Sequence, residues 1–360
     1  MDDRTIARWR LTRQRLADAV HPTPQAAVED LLGVQAENFS QTIWALAERT
    51  GQPTEDGFGL AFDNGEIVRT HVLRPTWHFV RGEDLVWLLE LTTPRARLSL
   101  IQLQGSLDLE EATMETADAA ILRMLSEGRH LPREQIGERL RADGLPAEGM
   151  ALGAMLIHAE FAGLVCSGAR DEEGNQTYAL IEERVPDPRR LDRDEALAEI
   201  ARRYFAGHGP ATERDLAYWA TLTVTDVRAG LAAASHHLDS FEHEGVTYWH
   251  AEPPPGDTGV PDPRGHLLLI LDEYYRGYQD SRRVLDVAGL EPKGSRAVGM
   301  ALVDGQIVGS MKRTLRSSSV QFDVGLYREL EGDEQQALAQ AARRYGAFLD
   351  LEPELVLRPA

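Results

Sequence analysis

The sequence predicts an α+β protein built from several modules. One observation is a recurring order, in which segments with helical spacing of apolar residues lead into a pair of short strand-like segments. A second is a change of character near residue 266, where strand-like segments become dominant. A third is size, because 360 residues, 42% of them hydrophobic, are enough for two to four modules with a substantial core.

Residues 1–115 form the first predicted module. An arginine-studded amphipathic helix opens it, and two further helices then enclose a short kink. Gly33 is a natural stop for the helix before the kink, and Asn38 or Ser40 is a natural N-cap for the helix after it. A turn-rich stretch at 51–59 leads into a strand pair. The predicted elements are helices over 6–19, 24–32 and 39–49, strands over 65–70 and 77–80, and a helix over 83–92.

Three helices followed by a strand pair is the order of a winged helix-turn-helix, and it recurs in residues 116–187 and 188–252. A polar, glycine-containing tip at 170–175 joins two strands as a wing would. Thr212 and Asp215 resemble a capping box at a helix start. Tandem winged helix-turn-helix modules fit better than a solenoid, whose repeats are shorter. The predicted helices cover 116–126, 133–141, 150–161, 194–205, 212–219 and 224–233, and the hairpin strands cover 164–167, 176–180, 238–241 and 246–249.

Residues 253–360 are predicted to form a small C-terminal β-barrel-like domain, which follows proline-rich breaks at 185–188 and 252–256. The run at 266–271 is continuously apolar, as in a buried strand. Asp304-Gly305 is a strong hairpin turn signal. Further strands are predicted at 314–316 and 319–324, and a helix over 333–349 closes the domain.

Composition restricts the class of protein. No apolar run is long enough to span a membrane, which takes about 18 residues or more. The N-terminus has no apolar signal region, and a lone cysteine, Cys166, cannot form an internal disulfide, so we expect a cytoplasmic protein. The net charge of −20 argues against indiscriminate nucleic-acid coating, although a segregated basic face remains compatible with it. The histidines lack zinc spacing, so we expect no metal and no cofactor, and we expect a monomer.

The kink at 33–38 carries the candidate chemistry. Residues two apart in an extended segment point the same way, so Gln35 and Glu37 can address one small volume. A carboxylate beside an amide can hold a water molecule and deprotonate it, as a hydrolase requires. The alternative is that both are ordinary solvated residues between two helices.

Several segments together resemble the winged-helix DNA glycosylases of the AlkZ and YcaQ type. Their order and spacing, rather than any one of them, carry the resemblance, which covers most of the chain. The segments are 13–16 (RQRL), 33–37 (GVQAE), 69–78 (RTHVLRPTWH), 203–212 (RYFAGHGPAT), 215–219 (DLAYW), 271–278 (LDEYYRGY) and 303–309 (VDGQIVG).

The resemblance implies tandem winged helices followed by a β-barrel-like domain, and a monofunctional glycosylase that removes bulky or alkylated purines. In some members this activity gives self-resistance to DNA-alkylating natural products. The family's catalytic element is typically Gln-x-Gln, with a Gln-x-Asp variant, whereas this chain has Gln35-Ala36-Glu37. Because of this difference at residue 37, the resemblance leaves open which substrate class applies and whether excision activity is retained.

The residue types support a mechanism, with Glu37 as the base and electrostatic stabiliser and Gln35 holding the water. The predicted partner is duplex DNA carrying alkylated bases. We expect further residues to line the site or to contact DNA, with structural or ion-paired roles as the alternative at each: His78, Arg69, Arg74, Arg13 and Arg15. A second hypothesis is a non-catalytic winged-helix protein that binds DNA or a genotoxin on the same scaffold.

Overall fold

The computed structural model describes residues 1–17, 21–51, 55–254, 263–285 and 299–359 of a mixed α+β protein. Its helices are α1 (Asp3–Arg13), α2 (Pro24–Leu31), α3 (Phe39–Ala47), α4 (Glu55–Asp63), α5 (Leu85–Ser106), α6 (Glu111–Leu125), α7 (Arg133–Ala142), α8 (Gly149–Phe161), α9 (Ile181–Arg184), α10 (Arg193–Gly207), α11 (Glu213–Trp219), α12 (Val224–Ala233), α13 (Glu273–Arg276) and α14 (Gly332–Leu349). Short 3-10 turns cover Gly82–Asp84, Ser235–His237 and Arg282–Leu285.

The strands form separate sheets. Three-stranded sheets have the orders β1-β3-β2 and β4-β6-β5, β7 and β8 form a hairpin, and the last sheet has the order β13-β12-β11-β10-β9. The strands are β1 (Val34–Gln35), β2 (Ile67–His71), β3 (Trp77–Arg81), β4 (Leu131–Pro132), β5 (Val165–Ser167), β6 (Thr177–Leu180), β7 (Asp239–His243), β8 (Val246–His250), β9 (Gly265–Leu269), β10 (Gly299–Val303), β11 (Gln306–Leu315), β12 (Ser319–Leu326) and β13 (Glu352–Arg358).

The first sheet is packed by aromatic side chains. Phe58 and Phe62 of α4 stack at 5.5 Å between ring centroids, and Phe58 lies 4.9 Å from Phe79 of β3. The stretch predicted to be turn-rich therefore contains a helix. Burial of these rings outweighs the low helix propensity of Gly57 and Gly59.

The middle of the chain follows the predicted helix order closely. Helix α5 extends well beyond the predicted end at residue 92, because its second half is buried through Ala96 and Leu100 in the core of α6, α7 and α8. In α11, Thr212 and Asp215 form the reciprocal capping box predicted from the sequence. The hairpin around residues 170–175 pairs β5 with β6 as predicted.

The C-terminal sheet is open in the described residues, so the predicted β-barrel shape is not confirmed. Strand β13, which the sequence pattern did not predict, adds to β12 in parallel at one edge, and β9 lies at the other edge. Helices cover both faces of the sheet. Met300 and Leu302 pack in a cluster with α1, whereas Ala301 and Val303 pack in a cluster with α14, as the alternation of a strand requires.

Helix α1 therefore packs on the C-terminal sheet, although the two are far apart in sequence. Part of the proline-rich break at 252–256 lies outside the described residues, as do residues 18 and 19 of the first predicted helix. Within the described ranges, no helix is both long and apolar enough to cross a membrane.

Candidate active site

The kink between α2 and α3 is fixed at both ends. Helix α2 ends at Leu31, and Leu32 takes a left-handed φ of +62°. Gly33 packs closely on Leu73, since an added Cβ would lie 2.7 Å from Leu73 Cδ1 and the leucine side chain would have to shift. Asn38 caps α3 by accepting a hydrogen bond from the Gln41 backbone N–H at 3.2 Å, so one of the two predicted caps is confirmed.

Between these ends the chain is extended and pairs with β3. Gln35 stands opposite His78, and the Ala36 N–H continues the ladder by donating to the Trp77 carbonyl at 2.7 Å. Val34 and Ala36 are both buried in the core formed with α2, α3 and α4. Because side chains alternate along an extended segment, Gln35 and Glu37 leave it on the other side.

Gln35 is hydrogen-bonded at its backbone N–H, its carbonyl and its side-chain oxygen. Only 6% of the residue is exposed. Its backbone N–H donates to Glu273 Oε1 at 2.8 Å, and its carbonyl accepts from the Thr42 hydroxyl at 3.2 Å. Its side-chain Oε1 accepts from Arg74 Nη2 at 3.1 Å. The arginine thus sets the amide orientation, and Nε2, which has no hydrogen-bond partner among the described residues, is the end that can serve a ligand.

Behind Gln35 lies a buried ionic cluster centred on Glu273. Its Oε2 accepts from Trp219 Nε1 at 2.8 Å and lies 3.3 Å from His208 Nε2, while Arg74 Nη2 is 3.9 Å from Oε1. Burial alone would raise the pKa of Glu273, but His208 and Arg74 outweigh it and lower the pKa to about 2. Glu273 is therefore a permanent anion that fixes the backbone of Gln35.

His78 completes this cluster as a neutral side chain. Its Nδ1 lies 2.9 Å from the Thr76 carbonyl and its Nε2 lies 3.2 Å from Arg74 Nη2, which assigns the proton to Nδ1. Burial, reinforced by the charge of Arg74, lowers the pKa of His78 to about 3. His78 thus accepts a hydrogen bond from Arg74 and has no proton to donate from Nε2 near neutral pH.

Glu37 has a different environment. Its carboxylate is partly exposed, and Oε1 accepts from the Trp77 backbone N–H at 2.9 Å. The other oxygen has no hydrogen-bond partner among the described residues. Trp77 is anchored in turn, since its Nε1 donates to the buried Glu160 at 3.2 Å and the Arg69 guanidinium stacks 4.3 Å above its ring. The carboxylate is therefore aimed by the backbone but remains available to solvent.

The predicted DNA-contacting arginines are all engaged within the protein. Arg69 donates to the Ala36 carbonyl at 2.9 Å and to Gln176 at 2.6 Å. Arg74 is only 6% exposed. Arg13 pairs with Glu252, and Arg15 lies 3.3 Å from Asp30. The fold brings Arg69, Arg74 and His78 to the kink, whereas Arg13 and Arg15 make their ion pairs with residues outside it.

Comparisons with known proteins show which family the chain belongs to. A family model described as DNA glycosylase AlkZ-like matches residues 28–348. The chain belongs to the AlkZ-like DNA glycosylases. These are enzymes that hydrolyse N-glycosidic bonds, so the family and the enzyme class predicted from the sequence are confirmed.

The chain is similar in sequence to a glycosylase, and in structure to a solved chain, from Streptomyces sahachiroi. The interstrand DNA cross-link repair glycosylase of Streptomyces sahachiroi is 25% identical over 346 residues, which cover 85% of this chain and 86% of that protein. The solved structure of Streptomyces sahachiroi DNA glycosylase AlkZ matches with a TM-score of 0.80 across all of both chains, at 20% identity. The structural match establishes a shared fold.

In this AlkZ-like chain, sequence reasoning missed the groups that support the kink. Glu273 stands beside Asp272, which caps α13 by accepting a hydrogen bond from the Tyr274 N–H at 2.8 Å. Glu160 and Trp219 belong to helices distant in sequence. No spacing rule links them to Gln35. The available signal was that Glu273 and Trp219 fall inside two of the family-like segments.

Other groups in the AlkZ-like fold lie away from this chemistry. A cavity of about 770 Å³ opens between α5 and residues 181–190, and no residue of the kink lines it. The buried Cys166 thiol has its pKa raised to about 12 by burial, which leaves it unreactive. Among the described residues, no group of three or more His, Cys, Asp or Glu side chains could hold a metal ion.

Proposed function

We propose that this DNA glycosylase excises alkylated purines, substituted at N7 or N3, from duplex DNA, with Glu37 as the base. One observation carries the proposal. The Glu37 carboxylate is held at one oxygen by the Trp77 backbone N–H, and its other oxygen is free, two residues from an amide whose orientation is fixed. This is the arrangement that activation of a single water molecule requires.

The reaction needs few groups. Breaking an N-glycosidic bond passes through a sugar with oxocarbenium character, as in glycoside hydrolysis. A purine alkylated at N7 or N3 is already cationic, so it leaves with the bonding electrons without being protonated. Water then adds to C1′ of the sugar and loses a proton to Glu37. One carboxylate, which also stabilises the positive sugar, is sufficient, and no general acid is required.

Gln35 orients the water in this mechanism. Since Arg74 donates to Oε1 and orients the amide, the N–H groups of Nε2 are the donors that it presents to a water molecule. When Nε2 donates to the water oxygen, the water protons are left for other acceptors, and we take Glu37, two residues along the same extended segment, as the acceptor of one of them. We propose that Arg74, His78 and Arg69 act by holding the kink. The DNA contacts predicted for Arg13 and Arg15 stay predictions.

We further propose that residues 1–115, 116–187 and 188–252 act as tandem winged-helix modules that carry the duplex to the kink. The hairpin β5–β6 has the polar tip of a wing, and Arg170 at its base is fixed to Asp63 at 2.7 Å. The name of the Streptomyces relative points to interstrand cross-links, in which an alkyl linker joins a base of one strand to the second DNA strand. The exposure of Glu37 supports a bulky substrate of this kind, in repair or in self-resistance.

The test is base release from duplex DNA containing N7-methylguanine, N3-methyladenine or a bulky N7 adduct, including a cross-link. Wild type and Glu37→Ala are compared at equal concentration, with circular dichroism as the check of folding. We expect release by wild type and a rate about 10²–10⁴-fold lower for the variant. Equal rates would refute the role of Glu37. No release by folded wild type from any substrate would favour the non-catalytic binding protein.

A further inference from the structure

The predicted phosphate anchors are occupied, so DNA near the kink has to be held by other cations. The net charge of −20 limits the choice of cations, because the acidic residues outnumber the basic ones and can pair with most arginines. Such a cation must lie close to Gln35 and must not be neutralised by an ion pair. Arg276, the last residue of α13, meets both conditions.

Arg276 is adjacent to the site through Arg74. The Arg276 carbonyl lies 3.4 Å from Arg74 Nη1, and Arg74 Nη2 lies 3.1 Å from Gln35 Oε1. A single guanidinium group thus separates the Arg276 backbone from the Gln35 amide. The positive charge of Arg276 also acts on Arg74, where it adds to the effect of burial in lowering the pKa.

The Arg276 side chain has no hydrogen bond or ion pair with any residue in the described ranges. Its Nε is buried and unpartnered, and its guanidinium carbon lies 5.7 Å from the Tyr275 ring centroid. Leaving a charged group partly desolvated without a hydrogen-bond acceptor costs free energy. An anion that supplies acceptors would remove this cost. The unpaired guanidinium therefore fits a ligand better than it fits the isolated protein.

We propose that Arg276 binds a phosphate of the strand being repaired, next to the nucleotide whose base is removed. The proposal rests on the proposed function, since it takes the sugar to be held at Gln35 and Glu37. Every sugar in DNA is flanked by two phosphates, and a long arginine side chain whose backbone lies one guanidinium group away from Gln35 can extend to one of them. Arginine suits this role because its planar fork can donate two hydrogen bonds to a phosphate.

The neighbouring Arg282 does not share these properties. It donates from Nε to the Tyr275 and Tyr278 carbonyls at 3.2 and 2.9 Å and stacks on the Tyr275 ring at 4.2 Å. It supports the turn that carries Arg276. Substituting Arg282 would therefore disturb the backbone, whereas Arg276 can be replaced without removing any hydrogen bond seen in the described residues.

The experiment measures the affinity of the full chain for a duplex with a tetrahydrofuran abasic-site analogue, by fluorescence anisotropy between 50 and 200 mM salt. The variants are Arg276→Gln and Arg276→Lys. Arg343→Gln is the matched control, since Arg343 is exposed on α14 and has no ion pair among the described residues. Base release from an N7-alkylguanine duplex is measured on the same preparations, and thermal melts verify folding.

We expect Arg276→Gln to weaken binding about tenfold and to reduce the salt slope by about 1. Arg276→Lys should recover most of the slope, and Arg343→Gln should change neither quantity. Unchanged affinity and slope in Arg276→Gln, or equal losses in Arg343→Gln, would overturn the phosphate contact even if wild type releases bases. If the slope depends on Arg276 but wild type releases no base, the phosphate contact stands and the proposed excision fails.

Discussion

Gln35 and Glu37 stand two residues apart in one extended segment, yet their side chains have opposite environments. Gln35 is buried, and Arg74, Glu273 and Thr42 hold it at its side chain, N–H and carbonyl. Glu37 is partly exposed and is held at one oxygen only, by a backbone N–H. The side chain of Gln35 is therefore fixed in geometry, whereas that of Glu37 is open to solvent.

From this contrast we expect the residues around Gln35 to serve mainly the stability of the fold, and Glu37 to serve mainly the reaction. The cluster behind Gln35 contains buried charges whose removal should affect folding, whereas Glu37 makes one hydrogen bond and can be changed with little structural cost. We therefore expect the fold to tolerate a change of residue at position 37. The following predictions challenge this division, from the largest expected effect to the smallest.

Glu37→Gln should lower the rate of base release by about 10²–10⁴-fold, because the amide cannot accept the water proton. The melting temperature should stay near that of wild type, since glutamine can still accept the Trp77 N–H. Single-turnover release from an N7-alkylguanine duplex and a thermal melt measure the two quantities. A large fall in melting temperature would contradict the division between the two positions.

Glu273→Gln should cost about 3–5 kcal/mol of unfolding free energy, because it leaves the buried Arg74 without a counter-charge. Urea unfolding measures the loss, with Glu37→Gln as the control that removes a carboxylate from the same site. If both variants were equally stable, the cluster behind Gln35 would not be the stabilising element that its burial indicates.

His78 should make stability depend on pH. Its pKa of about 3 in the folded protein lies below the ordinary value of 6.5, so the unfolded chain binds more protons between these values. Stability from this residue is complete above pH 6.5 and falls as the pH drops, by about 2 kcal/mol between pH 6.5 and 5. Urea unfolding at pH 7 and 5 should show this slope, and His78→Gln should reduce it. An unchanged slope in the variant would show that His78 is not held neutral.

Trp77→Phe should have the smallest effect on chemistry. It keeps the backbone N–H that holds Glu37 but removes the hydrogen bond from Nε1 to Glu160. We expect base release within about threefold of wild type and a stability loss of about 1–3 kcal/mol, from the buried acceptor left unpaired. A rate loss as large as that of Glu37→Gln would show that the ring, rather than the backbone, positions the carboxylate.

Local patterns in the sequence were sufficient for much of the fold. The capping box at Thr212 and Asp215 and the hairpin turn at Asp304-Gly305 depend on residues close in sequence, and the structure has both. Helix α4 and strand β13 were missed, because the first depends on Phe79 and the second on pairing with β12. The open form of the last sheet likewise depends on which helices cover its faces.

In the candidate site, too, some features follow from the local sequence and others only from the tertiary structure. Gln35 and Glu37 were predicted from one short segment, since a kink between two helices and a spacing of two residues are local properties. For His78, the sequence predicts only that the residue lines the site or contacts DNA, with a structural role as the alternative. It contains no indication that Glu273, 238 residues from Gln35, holds its backbone N–H, or that the chosen arginines are engaged internally.

By itself the sequence determined the succession of helices and hairpins and the positions of the two polar residues of the kink, because these follow from backbone preferences and periodic burial. Only the tertiary structure decided which of the two is fixed and which is free. Electrostatic interactions act through space, and the charges beside Gln35 come from Arg74, between β2 and β3, and from Glu273 on α13. They are adjacent only after the chain has folded.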